Sequence, residues 1–89
     1  MPIFMVERGY AQALEGVAEA ADGINRINDE QDVRWLYSFL SADKRKTYCL
    51  YEAPSPEAIF VAAERAGMPA DKVVEVTERV LPDGASAPI

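Results

Sequence analysis

Two neighbouring stretches of the chain decide its fold, Val33-Arg34-Trp35-Leu36-Tyr37-Ser38-Phe39-Leu40 and Lys46-Thr47-Tyr48-Cys49-Leu50-Tyr51-Glu52-Ala53. Both stretches carry aromatic and aliphatic residues at odd and even positions, which predicts two β-strands that bury both of their faces. The connection between them, residues 41–45, is short and polar. The two strands are therefore expected to pair as an antiparallel hairpin.

The elements on either side of this hairpin follow a regular order. A short strand is predicted over residues 3–8, and a final strand over residues 73–80. Apolar residues at helical spacing predict a first helix from about Ala11 to Ile24, which the polar run 25–30 closes or extends by a turn. Ser55 as N-cap, Pro56 at the first helical position and Gly67 after the last turn predict a second helix that ends near Ala66.

This order predicts an α+β, ferredoxin-like βαββαβ sandwich, a four-stranded antiparallel sheet with two helices on one face. Residues 1–81 would form one domain, and residues 82–89 a flexible C-terminal tail. The row expected to face the helices is Phe4, Val6, Leu36, Leu50, Val74 and Val76. The row expected on the bare face is Met5, Glu7, Trp35, Tyr37, Phe39, Cys49, Tyr51 and Glu75. Such an aromatic face predicts a homodimer, or a higher even oligomer, in a dimeric α/β-barrel-like assembly.

Composition excludes several classes of function. The chain has 89 residues, a formal charge of −6, one cysteine and no histidine. The negative charge disfavours nucleic acid and anionic membranes as partners. No signal peptide or spanning segment is evident, so a cytoplasmic location is expected. Without histidine, imidazole triads and zinc hydrolase sites are excluded, and no motif identifies a cofactor or a metal site.

Six residues are candidates for a site on the bare face. Glu7 is a candidate general base, with Tyr37 and Tyr51 as candidate proton donors or ligand-orienting groups. Trp35, Phe39 and Cys49 are candidate ligand contacts. Each also has a purely structural interpretation: Glu7 could pair with Arg8 or Arg34, the aromatic rings could fill an interface, and Cys49 could be a small buried hydrophobic residue.

Several of these stretches also resemble a known family. The segments are residues 33–39, residues 46–54, Glu57-Ala58-Ile59 and Ala66-Gly67-Met68-Pro69, together with the early Glu7-Arg8 pair. They resemble a bacterial domain-of-unknown-function family whose members are often labelled nickel-binding proteins. The resemblance implies a small dimeric ferredoxin-like protein. It also implies histidines at the positions of Tyr37 and Ala62, where this chain has none, so nickel binding tighter than roughly micromolar is not expected.

Two functions follow from the sequence. The first is a small dimeric binding or sensing protein that encloses a small molecule or a metal ion at the aromatic-lined sheet face. The alternative is a cofactor-free enzyme of the dimeric α/β-barrel type, in which Glu7 transfers a proton and Tyr37 or Tyr51 assists. Binding requires fewer converging polar groups and is favoured.

Overall fold

A computed structural model describes all 89 residues of the chain. The elements are β1 (Ile3–Gly9), α1 (Val17–Glu30), β2 (Arg34–Leu40), β3 (Lys46–Glu52), α2 (Pro56–Ala66), β4 (Lys72–Val76), β5 (Glu78–Val80) and β6 (Ser86–Pro88). Strands β1 to β4 form an antiparallel sheet with the order β2-β3-β1-β4. The predicted α+β class, with two helices and a four-stranded antiparallel sheet, is confirmed, and the arrangement fits a ferredoxin-like fold.

The boundaries of α2 are those that the sequence predicts. The Ser55 side chain accepts a hydrogen bond from the Ala58 amide at 3.3 Å, and Pro56 is the first helical residue. Gly67 ends the helix with a φ of 67°, a left-handed conformation that glycine adopts without steric cost. These local signals do not depend on tertiary packing, which explains why they are reliable here.

The start of α1 differs from its prediction. The helix begins at Val17 rather than near Ala11, after Gly16 in a left-handed conformation, and it continues to Glu30. The preceding loop is held against the β2–β3 turn, because the Tyr10 amide donates to the Arg45 carbonyl at 2.8 Å and the Leu14 amide to the Lys44 carbonyl at 2.6 Å. Both amides thus have partners outside a helix, so residues 11–16 do not form the helix that their apolar spacing predicts.

The main sheet has one face covered by the helices and one face left open. On the helix-covered face, Phe4, Val6, Cys49 and Tyr51 form the core with Ile59 and Ala62 of α2, and Ile27 of α1 packs against them. The open face is the opposite row of the same strands. By strand register it carries Met5, Glu7, Tyr37, Phe39, Tyr48, Leu50 and Val74.

The end of the chain forms a strand pair that the sequence does not predict. The final strand predicted over residues 73–80 is divided into β4 and β5, which are separated at Thr77. Strand β6 lies within residues 82–89 and pairs with β5, so that Arg79 lies opposite Ala87. Flexibility of this tail stays a prediction. Neither helix is long and apolar enough to cross a membrane.

Candidate functional site

A cavity of about 560 Å³ lies between the helix-covered face of the sheet and the two helices. Strands β2 and β3 contribute one wall, made of Trp35, Ser38, Leu40, Thr47, Cys49 and Tyr51. Helix α1 and the loop before it contribute Tyr10, Leu14, Glu15, Val17, Ala20 and Ile24. The end of α2 and the loop after it contribute Ala66, Gly67, Met68 and Pro69. Of these 16 residues, 11 are hydrophobic, so the cavity suits a ligand that is mainly apolar.

Two hydrogen bonds hold polar groups of the sheet wall in fixed positions. The Trp35 indole Nε1 donates to Ser38 Oγ at 2.8 Å. The Tyr10 hydroxyl and Thr47 Oγ1 are 3.0 Å apart. Because the Trp35 N–H has its partner in Ser38, Trp35 can offer the cavity an apolar ring.

A buried arginine stands behind one end of the cavity. Arg8 is only 3 % exposed. It donates from Nη1 to the Pro69 carbonyl, and from Nη2 to the Tyr51 hydroxyl at 3.3 Å. Its guanidinium carbon also lies 5.6 Å from the centre of the Tyr51 ring, within the range of a cation–π contact. Arg8 therefore supports two residues of the cavity wall, Tyr51 and Pro69.

The environment of Tyr51 makes folding stability depend on pH. Burial raises the pKa of the Tyr51 hydroxyl, while the Arg8 guanidinium opposes that rise. A raised folded-state pKa means that the native protein keeps the proton longer than the unfolded chain. The stability that this contributes is complete below the unfolded pKa of about 10, and it is lost as pH rises through the folded value.

We therefore expect wild type to lose more stability in alkali than Tyr51→Phe does. Urea unfolding of both proteins at about pH 8 and about pH 11 measures the difference, because the other titrating groups are common to the two. Identical losses in the two proteins between these pH values would show that the Tyr51 hydroxyl is not held in a buried site.

The structure divides the predicted site residues between two faces. Trp35, Cys49 and Tyr51 line the cavity on the helix-covered face. By register, Glu7, Tyr37 and Phe39 lie on the open face, as predicted. The prediction that all six share one space is therefore wrong. Glu7 and Tyr51 cannot act together within one subunit, although a pairing of Glu7 with Tyr37 stays a prediction.

A β-bulge explains the misplacement of Trp35. The register between β2 and β3 shifts between Trp35 and Tyr37, which leaves Leu36 as an extra residue. Trp35 then lies opposite Tyr51, whereas Tyr37 lies opposite Leu50 on the other face. Strict alternation places residues two apart on one face, so the bulge reverses the side of everything before it.

The residues of β3 and β4 lie on the faces opposite to those predicted, for a reason other than the bulge in β2. Cys49 lies opposite Val6, and Tyr51 opposite Phe4, so both belong to the helix-covered row. Leu50 and Val74, expected beneath the helices, lie on either side of Met5 on the open face, and Val76 lies opposite Ile3 in the same row. Glu75, expected on the bare face, lies opposite Phe4. Because β3 is apolar in both rows, its alternation alone does not indicate which row meets the helices.

The open face exposes an aromatic and aliphatic patch. Phe39 is 58 % exposed, Val74 54 % and Tyr37 47 %. The rings of Tyr37 and Phe39 pack edge to face, with centroids 5.7 Å apart. Met5 and Leu50 continue the same row across the central strands.

Sequence reasoning missed two groups of site residues. Neither Arg8 nor the α1 residues of the cavity, Val17, Ala20 and Ile24, are among the six predicted candidates. Alternation along β1 gave a usable signal, since Arg8 continues the row of Phe4 and Val6 and should therefore point beneath the helices. The contribution of Ala66 to Pro69 has no sequence signal, because it depends on how α2 crosses the sheet.

Comparison with known proteins identifies the family. The model of the SCO4226-like family, described as nickel responsive protein SCO4226-like, matches residues 4–76. The chain belongs to this family. The crystal structure of SCO4226 from Streptomyces coelicolor A3(2) has a TM-score of 0.73 to this chain and is 26 % identical to it. The match covers 83 % of this chain and 94 % of SCO4226. No curated protein matches the chain.

The residues of this family member do not fit a nickel centre. The chain has no histidine, and nowhere do three cysteine, aspartate or glutamate side chains lie close enough to hold a metal ion. Cys49, the one thiol, is buried in the apolar core. Nickel prefers nitrogen and sulfur ligands arranged around one point, which a single subunit does not offer.

Proposed function

We propose that this SCO4226-like protein is a small binding or sensing protein whose ligand is a largely apolar organic molecule held in the cavity. The description of its family suggests binding or sensing in general. The observation that carries the proposal is the cavity itself, because a volume of about 560 Å³ is within the range of ligand pockets, roughly 300–1,000 Å³. The nature of the lining then selects an organic ligand rather than a metal ion.

The walls are suited to enclose such a ligand. Sheet, α1 and the end of α2 surround the space on three sides, so that a bound molecule would lose contact with water on each of them. Trp35 and Tyr51 supply flat apolar surface. The Trp35 indole N–H donates to Ser38, and the Tyr51 oxygen accepts from Arg8. A ligand would therefore gain hydrophobic contact without leaving the Trp35 N–H or the Tyr51 oxygen unpaired.

Filling the cavity should prevent binding. Ala20 lies on α1 and lines the cavity, so Ala20→Phe should place a ring in the space a ligand needs. The matched control is Ala18→Phe on the same helix, because both alanines are exposed but only Ala20 lines the cavity. The probe is N-phenyl-1-naphthylamine, a neutral dye whose fluorescence increases in apolar surroundings.

We expect saturable binding of the dye to wild type and to Ala18→Phe. Ala20→Phe should bind it at least about tenfold more weakly, a loss of about 1.4 kcal/mol. Wild type without saturable binding, or Ala20→Phe with unchanged affinity, would contradict binding in this cavity.

We also propose that two subunits associate through their open faces. Only 13 of the 89 residues are buried in one subunit, a small core that association would enlarge. A second copy of the chain is the partner that fits the open face best, because a two-fold axis would place Tyr37, Phe39 and Val74 against the same apolar residues of the partner. A homodimer of this kind leaves the cavity of each subunit on its outer side, where the ligand can enter.

A further inference from the structure

Arg8 carries a buried positive charge that no carboxylate neutralises. The one ion pair in the structure joins Arg65 and Glu30 at the surface, 3.6 Å apart. Arg8 is 3 % exposed, and its Nε is a buried donor without a hydrogen-bond partner. Burying an ionised group without a counter-charge costs free energy of folding. A role of Arg8 in ligand binding would explain why an arginine lies at this position.

Tyr51 connects Arg8 to the cavity through a hydrogen bond. Its hydroxyl oxygen accepts from Arg8 Nη2 at 3.3 Å, and an arginine can only donate. The Tyr51 proton therefore has to go to another acceptor, and within the subunit it finds only the sulfur of Cys49, which is a weak acceptor. Because Tyr51 lines the cavity, its hydroxyl proton is available to a molecule bound there.

The cavity thus has one end at which the Tyr51 hydroxyl can donate and the Arg8 charge lies behind the wall, while most of its lining is apolar. Tyr51 and Pro69 line this end, and both are bonded to the Arg8 guanidinium from behind. The one carboxylate in the lining, Glu15, is exposed, so water screens its charge. A ligand that brings an anionic acceptor would accept a hydrogen bond from the Tyr51 hydroxyl and offset the unpaired charge of Arg8.

Building on the proposed binding function, we propose that the ligand is an anionic amphiphile. Its carboxylate, or a comparable oxyanion, would accept a hydrogen bond from the Tyr51 hydroxyl and lie within the field of Arg8. Its apolar part would lie against Trp35 and Ile24. Tyr51 is the group that touches the ligand, and Arg8 positions Tyr51 and supplies the charge.

Two probes of the same shape test this preference. They are 2-naphthoate, which is anionic, and 2-naphthamide, which is neutral. Trp35 is the single tryptophan of the chain, so quenching of its emission reports binding of either probe. We expect wild type to bind the naphthoate at least tenfold more tightly than the naphthamide.

Three variants and one control assign the preference to its source. Tyr51→Phe removes one oxygen and should reduce the ratio of the two affinities severalfold, because the naphthoate carboxylate loses a stronger hydrogen bond than the naphthamide carbonyl does. Arg8→Lys keeps the charge and should retain part of the ratio, which Arg8→Gln should abolish if that variant folds. Tyr48→Phe, on the open face, should leave the ratio at the wild-type value.

Equal affinities for the two probes would overturn the anion preference and leave the proposed binding function intact. Arg8 would then be only a structural support for Pro69 and Tyr51. Failure of both naphthalene probes in a protein that binds N-phenyl-1-naphthylamine would also overturn it. Failure of all three probes would contradict the proposed function itself, and the anion preference with it.

Discussion

Phe39→Glu is expected to convert the proposed homodimer into monomers. Phe39 is 58 % exposed in one subunit and packs edge to face on Tyr37 in the open face. In a dimer formed through this face, glutamate would leave an unpaired charge among apolar side chains. Loss of an aromatic contact at the centre of an interface typically costs at least about 2 kcal/mol, which corresponds to roughly a 30-fold weaker association.

The matched control for this prediction is Phe60→Glu. Phe60 is 48 % exposed and lies on α2, away from the open face. Sedimentation velocity should therefore show dimers for wild type and for Phe60→Glu, and monomers for Phe39→Glu at the same micromolar concentration. A wild-type protein that sediments as a 9.8 kDa monomer would refute association through the open face.

Ile59→Ala is expected to cause a comparably large loss of folding stability. Ile59 is 1 % exposed and packs between α2 and the sheet in the core cluster. Truncating a fully buried isoleucine removes apolar contact and leaves a cavity, which together cost about 2–5 kcal/mol. Because α2 also carries the end of the ligand cavity, the same change should weaken dye binding.

Val61→Ala is the control for Ile59→Ala. Val61 lies on the same helix but is 38 % exposed, so its truncation should cost about 0.5 kcal/mol or less. Urea unfolding at one fixed protein concentration compares the three proteins without a contribution from changes in association. Equal losses for the two variants would mean that α2 does not pack on the sheet through Ile59.

The sequence predicts the fold where local signals act alone. Ser55, Pro56 and Gly67 define α2 within a residue, and the alternation of β1 separates Phe4 and Val6 from Met5 and Glu7 as the structure has them. The start of α1 is not predictable in this way. Its position depends on amides of Tyr10 and Leu14 that bond the distant β2–β3 turn.

The candidate site is predictable only in part. Trp35, Cys49 and Tyr51 are among the six predicted site residues and do line the cavity, although on the helix-covered face rather than the open one. The error has two sources, the bulge at Leu36 and the two apolar rows of β3, neither of which leaves a signal in hydrophobic periodicity. Arg8 could have been found, because its position in the row of Phe4 and Val6 places a charge in the core.

Native mass spectrometry of the protein purified from the cells that make it tests the central claim most directly. Binding in the cavity predicts a subunit that carries an organic molecule and no nickel, and the molecule should be missing from Ala20→Phe but present in Ala18→Phe. A protein that carries one nickel ion per subunit and no organic molecule would contradict the claim.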